Sequence, residues 1–159
     1  MTRVAILWHM HQPFYKDAAT QRYVMPWTYL HATKDYWGMA ELAGEFPDVH
    51  QTFNLVPSLV LQLEEYAAGQ ASDPLFDLAF KAAEDFDERE RATVAAKFFP
   101  VPVKTMLDPY PRYRELYERR WEELKAQELR DIQVWWTLAW MFRDRSWATK
   151  HRQTLGSRG

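Results

Sequence analysis

The chain has 159 residues with 47% hydrophobic and 26% charged content, the makeup of a globular chain about one domain long. Its 20 Lys+Arg against 22 Asp+Glu leave a formal net charge of -2, which supplies no basic field for a nucleic acid, so no nucleic-acid partner is expected. The absence of cysteine excludes disulfides, thiolate metal sites and a Cys nucleophile together. The N-terminal apolar run is short and interrupted by His9, so neither a signal peptide nor a membrane span is expected and a cytoplasmic location follows.

Val4-Ala5-Ile6-Leu7-Trp8 reads as a buried strand, running from about Arg3 to His11 and stopped by Pro13, which cannot donate to a sheet ladder. Side chains alternate along a strand, so His9 and His11 project from one face while Val4, Ile6, Trp8 and Met10 take the other. A long loop, Gln12 to Trp27, follows; its Phe14, Tyr15, Tyr23 and Trp27 argue against disorder. Leu30, Tyr36, Trp37, Ala40, Leu42, Ala43 and Phe46 then give mostly helical spacing, predicting a helix from Tyr29 to Glu45 that Pro47 closes. Val49 to Leu55 reads as a second strand, completing a βαβ unit with parallel strands. Pro57 suits the first turn of the next helix, with Leu59, Leu63 and Tyr66 on its apolar face and Gly69 ending it.

Beyond this point the pattern is helical and aromatic. Asp73-Pro74 opens a helix to about Ala83, as an N-cap followed by proline at the first helical position. Glu88 to Phe99 predicts another, and Val101 to Tyr113, with Pro102, Pro109 and Pro111, predicts a connector. Two more helices are expected over Arg114–Gln127 and Leu129–Arg143, with a polar tail over 144–159. In the last helix the spacing of Trp135, Trp136 and Trp140 marks them as packing residues rather than a binding platform. Two parallel strands are too few for a covered sheet. Either a partner pairs with their edges or the chain is the first part of a longer barrel.

The stretches VAILWHMHQPFY, YVMPWTYLHATKDYWGMA, VHQTFNLVPSLVLQLEEYAAG and LRDIQVWWTLAWM, within residues 3–143, resemble the N-terminal portion of glycoside hydrolase family 57. The His-x-His-Gln-Pro element at His9 to Pro13 is the specific part, and His11-Gln12-Pro13 matches the first of that family's five motifs. The resemblance implies an α/β fold, the N-terminal part of an incomplete (β/α)7 barrel. In this division residues 1–70 form the βαβ start, 71–143 a helical region of the same barrel and 144–159 the tail. It implies activity on α-glucans as an amylase, 4-α-glucanotransferase or branching enzyme, with no cofactor. The catalytic Glu nucleophile and Asp general acid/base belong to later motifs that this chain does not reach, so the segment is expected to bind an α-glucan or maltooligosaccharide and to be inactive alone. The missing remainder of the barrel is then its natural partner.

The resemblance assigns His9 and His11 to hydrogen bonds with sugar hydroxyls, a neutral imidazole offering one donor and one acceptor; buried structural histidines are the alternative. Gln12 either binds sugar or caps strand carbonyls, and Trp27 either stacks on sugar or joins the core. His31 and Asp35, one helical turn apart, form an orienting pair or a surface contact, and Asn54 is a site residue at a strand end or a turn-former before Pro57. Retaining glycoside hydrolysis needs two carboxylates about 5–5.5 Å apart, and no such pair is legible: Asp17 lies in the loop, Asp35 and Glu41 on the first helix, and Glu64 and Glu65 on a solvated helix side. Two other readings remain open. His-x-His could be a metal pair completed by a carboxylate, as in metal-dependent hydrolases and deacetylases, or the chain could be a non-catalytic truncated module.

Overall fold

A computed structural model describes residues 3–99 and 103–141. It is a mixed structure in which a small parallel sheet is joined to a helical assembly. Strand β1 (Leu7–Met10) and strand β2 (Thr52–Leu55) pair in parallel with Leu7 opposite Thr52, Trp8 opposite Phe53, His9 opposite Asn54 and Met10 opposite Leu55. The connection between them is one continuous helical rod: α1 (Trp27–His31), a π-turn (Ala32–Tyr36) and α2 (Trp37–Glu45). The expected βαβ unit is therefore present, beginning two residues earlier in its helix than the spacing predicts.

Strand β1 is shorter than the Arg3 to His11 expectation because a strand extends only as far as it has a ladder partner. It is also not buried: Val4 is 82% exposed and Leu7 64%, and only Met10 of this run is sequestered. The two-stranded sheet leaves both outer edges open, so the apolar run has nothing in the described chain to pack against. The same holds for α2, whose Trp37, Leu42 and Phe46 stand exposed.

Helix α3 (Pro57–Ala67) starts on Pro57 at its first position and ends at Gly69, whose φ of 69° is the left-handed conformation glycine adopts without a Cβ clash. Helix α4 (Pro74–Phe80) is capped by Asp73, which accepts from the N–H groups of Leu75 and Phe76. It stops at Phe80 rather than Ala83, and a 3₁₀ turn at Ala83–Asp85 follows. Helix α5 (Glu88–Lys97) opens on a reciprocal capping box between Asp87 and Glu90. The expected connector from Val101 contains a helical turn, α6 (Val103–Met106), and helix α7 (Pro111–Glu118) uses Pro111 as an initiator.

The single helix expected over Arg114–Gln127 is divided: α7 ends where Arg119 turns extended, and a 3₁₀ turn at Trp121–Glu123 precedes α8 (Ala126–Met141). The break lets Leu116, Leu124 and Leu129 all enter one core. The expected end of the last helix at Arg143 and the tail over 144–159 lie outside the described residues.

That core is the interior of the helical half. Leu78, Phe86, Val94, Phe98, Leu107, Tyr113, Leu116, Ile132 and Trp136 are buried together, with Trp136 stacked on Phe98 at 4.4 Å between ring centroids. Leu30 of α1 joins them and ties the βαβ unit to the helices. A second aromatic group, Tyr23, Tyr29, Tyr66 and Phe76, fastens the long loop and α1 to α3 and α4. Among the described residues no helix is long and apolar enough to cross a membrane.

Candidate functional site

The carboxyl ends of β1 and β2 lie side by side, and the groups that leave them converge. His9 sits opposite Asn54, and its Nδ1–H donates to Asn54 Oδ1 at 3.1 Å. His11 follows directly on β1, and its ring lies 6.1 Å from the His9 ring and nearly parallel to it, at 14°. Both histidines are exposed, so they are not core residues of this chain.

Gln12 does not cap strand carbonyls. Its Nε2 donates to the Tyr36 hydroxyl at 3.1 Å, its Oε1 accepts from the Tyr15 hydroxyl at 3.0 Å, and the Tyr36 hydroxyl donates to the His11 carbonyl at 3.3 Å. Tyr36 thereby joins the strand end to the helical rod. Burial, reinforced by the neighbouring Tyr36, pushes the Tyr15 phenol above its ordinary pKa, so Tyr15 stays a protonated donor at neutral pH.

The other flank is aromatic. Trp27 opens α1, 40% exposed, with its ring centroid 6.2 Å from both His31 and Trp140. His31 Nδ1 and Asp35 Oδ2 are 2.5 Å apart, and the Trp140 ring meets the His31 ring edge-on at 5.8 Å. The His31–Asp35 pair is thus held within an aromatic corner rather than lying loose on the surface. Lys34 Nζ stands 5.1 Å over the Trp140 ring; desolvation by burial lowers the Lys34 pKa, with Asp35 opposing the shift. Trp136 fills the core as the spacing predicts, and Trp135 and Trp140 pack against it, Trp135 on Tyr110 and Tyr113 while Trp140 also lines this corner.

Beneath the site, fully buried Gln62 holds the loop in place. Its Oε1 accepts from Tyr15 N–H at 3.0 Å, and its Nε2 donates to the carbonyls of Pro13 at 3.0 Å and Ser58 at 2.8 Å. The loop is further tied by Lys16 to Glu65, whose carboxylate also accepts from the Tyr23 hydroxyl at 2.9 Å. Glu65 is therefore an internal anchor, not a member of a solvated helix side. Asp17 closes a turn by accepting from the N–H groups of Ala19 and Thr20.

The structure gathers all six sequence-predicted positions into two adjoining groups, Asn54–His9–His11–Gln12 and Trp27–His31, bridged by Tyr36. Sequence reasoning missed Tyr36, Tyr15 and Gln62 as site-forming residues. Tyr36 was hidden within a helix face, and a buried polar residue in the apolar LVLQL stretch was the available signal for Gln62. Among the described residues no group of three or more His, Asp or Glu side chains is placed to hold a metal ion. Two clefts, of about 460 Å³ beside Phe80 and Val134 and about 560 Å³ beside Phe99 and Trp121, include no residue of β1, β2 or the π-turn. The strand-end site is an open surface, and its claim to function rests on converging polar groups rather than on concavity.

These features describe a mainly helical structure with a small two-stranded parallel sheet, compatible with part of an α/β fold, and with polar groups gathered at the carboxyl ends of its strands, the place where open α/β sheets bind ligands. The family model for glycosyl hydrolase family 57 matches residues 5–155, and the chain belongs to that family. Membership makes its substrate a carbohydrate. Comparison with curated proteins and with solved structures gives no match.

Proposed function

We propose that this chain is the N-terminal, substrate-binding segment of a retaining family 57 enzyme acting on α-glucans, as a hydrolase or glucanotransferase, and that it is inactive alone. The observation that carries the reading is the convergence of His9, His11, Gln12 and Asn54 at the ends of two parallel strands, with Tyr36 and His31 linking that group to the indole of Trp27. Imidazole and amide groups offer donors and acceptors to vicinal hydroxyls, and an exposed indole offers an apolar face to a pyranose ring. His31 belongs to the same surface as a residue oriented by Asp35.

The placement of the carboxylates supports the proposed inactivity. Among the described residues Asp35 is the acidic group hydrogen-bonded into this cluster, while Asp17 and Glu65 are committed to the loop. A double-displacement reaction needs a second, facing carboxylate. The exposed apolar residues of β1 and α2 support the further proposal that residues 1–143 begin an incomplete (β/α)7 barrel, whose remaining strands cover them.

The test is a titration of the chain with maltoheptaose, followed by NMR, together with a starch-turnover assay. Binding that maps to His9, His11 and Asn54 and is lost in H9A and H11A supports the reading. Release of reducing sugar by the purified chain, abolished by no contaminant control, overturns the claim of inactivity; saturation with maltoheptaose that leaves the imidazole signals unmoved overturns the site.

A further inference from the structure

We propose that Tyr36 is the positioning residue of the strand-end site: it sets which way the Gln12 amide faces, and the π-turn is what brings it there. The inference deepens the sugar-binding reading and rests on it for the consequence, but its geometric part stands separately.

In a regular α-helix, positions 31 and 36 are five residues apart and lie about 140° apart around the axis. They cannot share a face. Here the Trp37 N–H reaches the Ala32 carbonyl, five residues back, which widens the turn and brings the Tyr36 ring 6.5 Å from the His31 ring. Thr33 contributes: its hydroxyl lies 3.2 Å from the carbonyls of Tyr29 and Leu30, where it competes with the helix backbone, and 3.2 Å from the distant Trp140 carbonyl.

The polarity of the network then follows from counting protons. A phenol has one, and Tyr36 gives its proton to the His11 carbonyl, which leaves its oxygen an acceptor toward Gln12. The Gln12 NH₂ must therefore face Tyr36, and its oxygen must face the Tyr15 hydroxyl. An inverted amide would put oxygen against oxygen at Tyr36, unless Tyr36 released His11. Held this way, Gln12 presents one N–H and one lone pair with no other partner among the described residues, in fixed places, next to His11. That is a keyed donor–acceptor pair for adjoining sugar hydroxyls.

The experiment uses the full chain, ¹⁵N-labelled, with the Gln12 side-chain signals assigned by their loss in Q12A. Tyr36→Phe keeps the ring and removes the oxygen. The expected result is an upfield move of one Gln12 Nε2–H signal in Y36F, with the signals of α5 and α8 unchanged. Maltoheptaose association should weaken about two- to tenfold, the effect of one lost neutral hydrogen bond. Y15F removes the opposite anchor without touching the helix and should perturb the same Gln12 signals by a second route. Gln12 side-chain signals that stay in place in both variants overturn the proposal. Signals that move in chains that bind no maltoheptaose, wild type included, uphold the positioning role and overturn the sugar-binding reading instead.

Discussion

Replacing Gln62 by leucine isolates what the buried amide does. Gln62 makes three hydrogen bonds, and each has a different fate in Q62L. The Ser58 carbonyl keeps its helical partner, the N–H four residues on. The Tyr15 N–H and the Pro13 carbonyl lose theirs, at about 1–3 kcal/mol for a group left unpaired in full burial and less for Pro13, which is exposed. Added apolar burial of the leucine returns about 1.5–3 kcal/mol. Tyr15 is only half-buried, so water can recover part of the loss, and the net expectation is a destabilisation of about 1–2 kcal/mol. With a urea slope of about 1–3 kcal/mol per molar, the unfolding midpoint should fall by roughly 0.5–1 M. Amide exchange localises the effect: the Tyr15 N–H should exchange faster, while Val94 and Leu129 in the helical core keep their protection relative to global unfolding. An unchanged midpoint together with unchanged Tyr15 protection would refute the view that Gln62 clamps the loop beneath the site.

Three other outcomes test the division between a packed helical half and an open βαβ half. Trp136→Ala should cost about 3–5 kcal/mol by denaturant titration, because the ring is buried against Phe98, whereas Trp37→Ala, 66% exposed, should cost less than about 0.5 kcal/mol. The Lys16 hydrogen bond, and after it the Tyr23 hydroxyl, hold the Glu65 carboxyl below its ordinary 4.5. A lowered folded-state pKa gives stability that is present above pH 4.5 and lost as pH falls through the folded value, so Glu65→Gln should flatten stability against pH in the acid range. Asp73 titrates the other way, its pKa raised mainly by burial, so its ionisation opposes folding as pH rises above 3.8. Asp73→Asn, which removes the charge but keeps the cap, should therefore be better tolerated at neutral pH than Asp73→Ala, which costs about 1–2 kcal/mol in a thermal or denaturant melt.

The two halves have different relations to function. The helical core uses its aromatics on itself, and Trp140 of α8 reaches across to α1 and the π-turn. The Thr33 hydroxyl and the Lys34 ammonium both meet Trp140, so α8 braces the π-turn that carries Tyr36. Stability is thereby concentrated away from the strand ends, which remain open.

Local features were legible in the sequence because their causes are local. Asp73-Pro74, Pro57 and Gly69 mark helix ends through bonds and backbone angles within four residues, and each end stands where the residue type requires it. The His-x-His spacing brings two imidazoles together at the end of β1, where extended backbone sets residues two apart on the same side. Family membership was legible for the same reason, being carried by contiguous residues around His11-Gln12-Pro13. The extent of β1, the break after Glu118, the π-turn and the role of Gln62 were not. Thr33 meets a carbonyl 107 positions away, and Gln62 bonds residues 47 and 49 positions away. β1 ends where β2 ceases to face it, and α7 ends where the chain must turn to bring Leu124 beneath α5. Sequence by itself determined the element types, the caps and the residue types offered at the strand ends. Only the tertiary structure decided how far each element runs and which distant groups meet, because hydrogen bonds and burial depend on partners that proximity in the chain does not name.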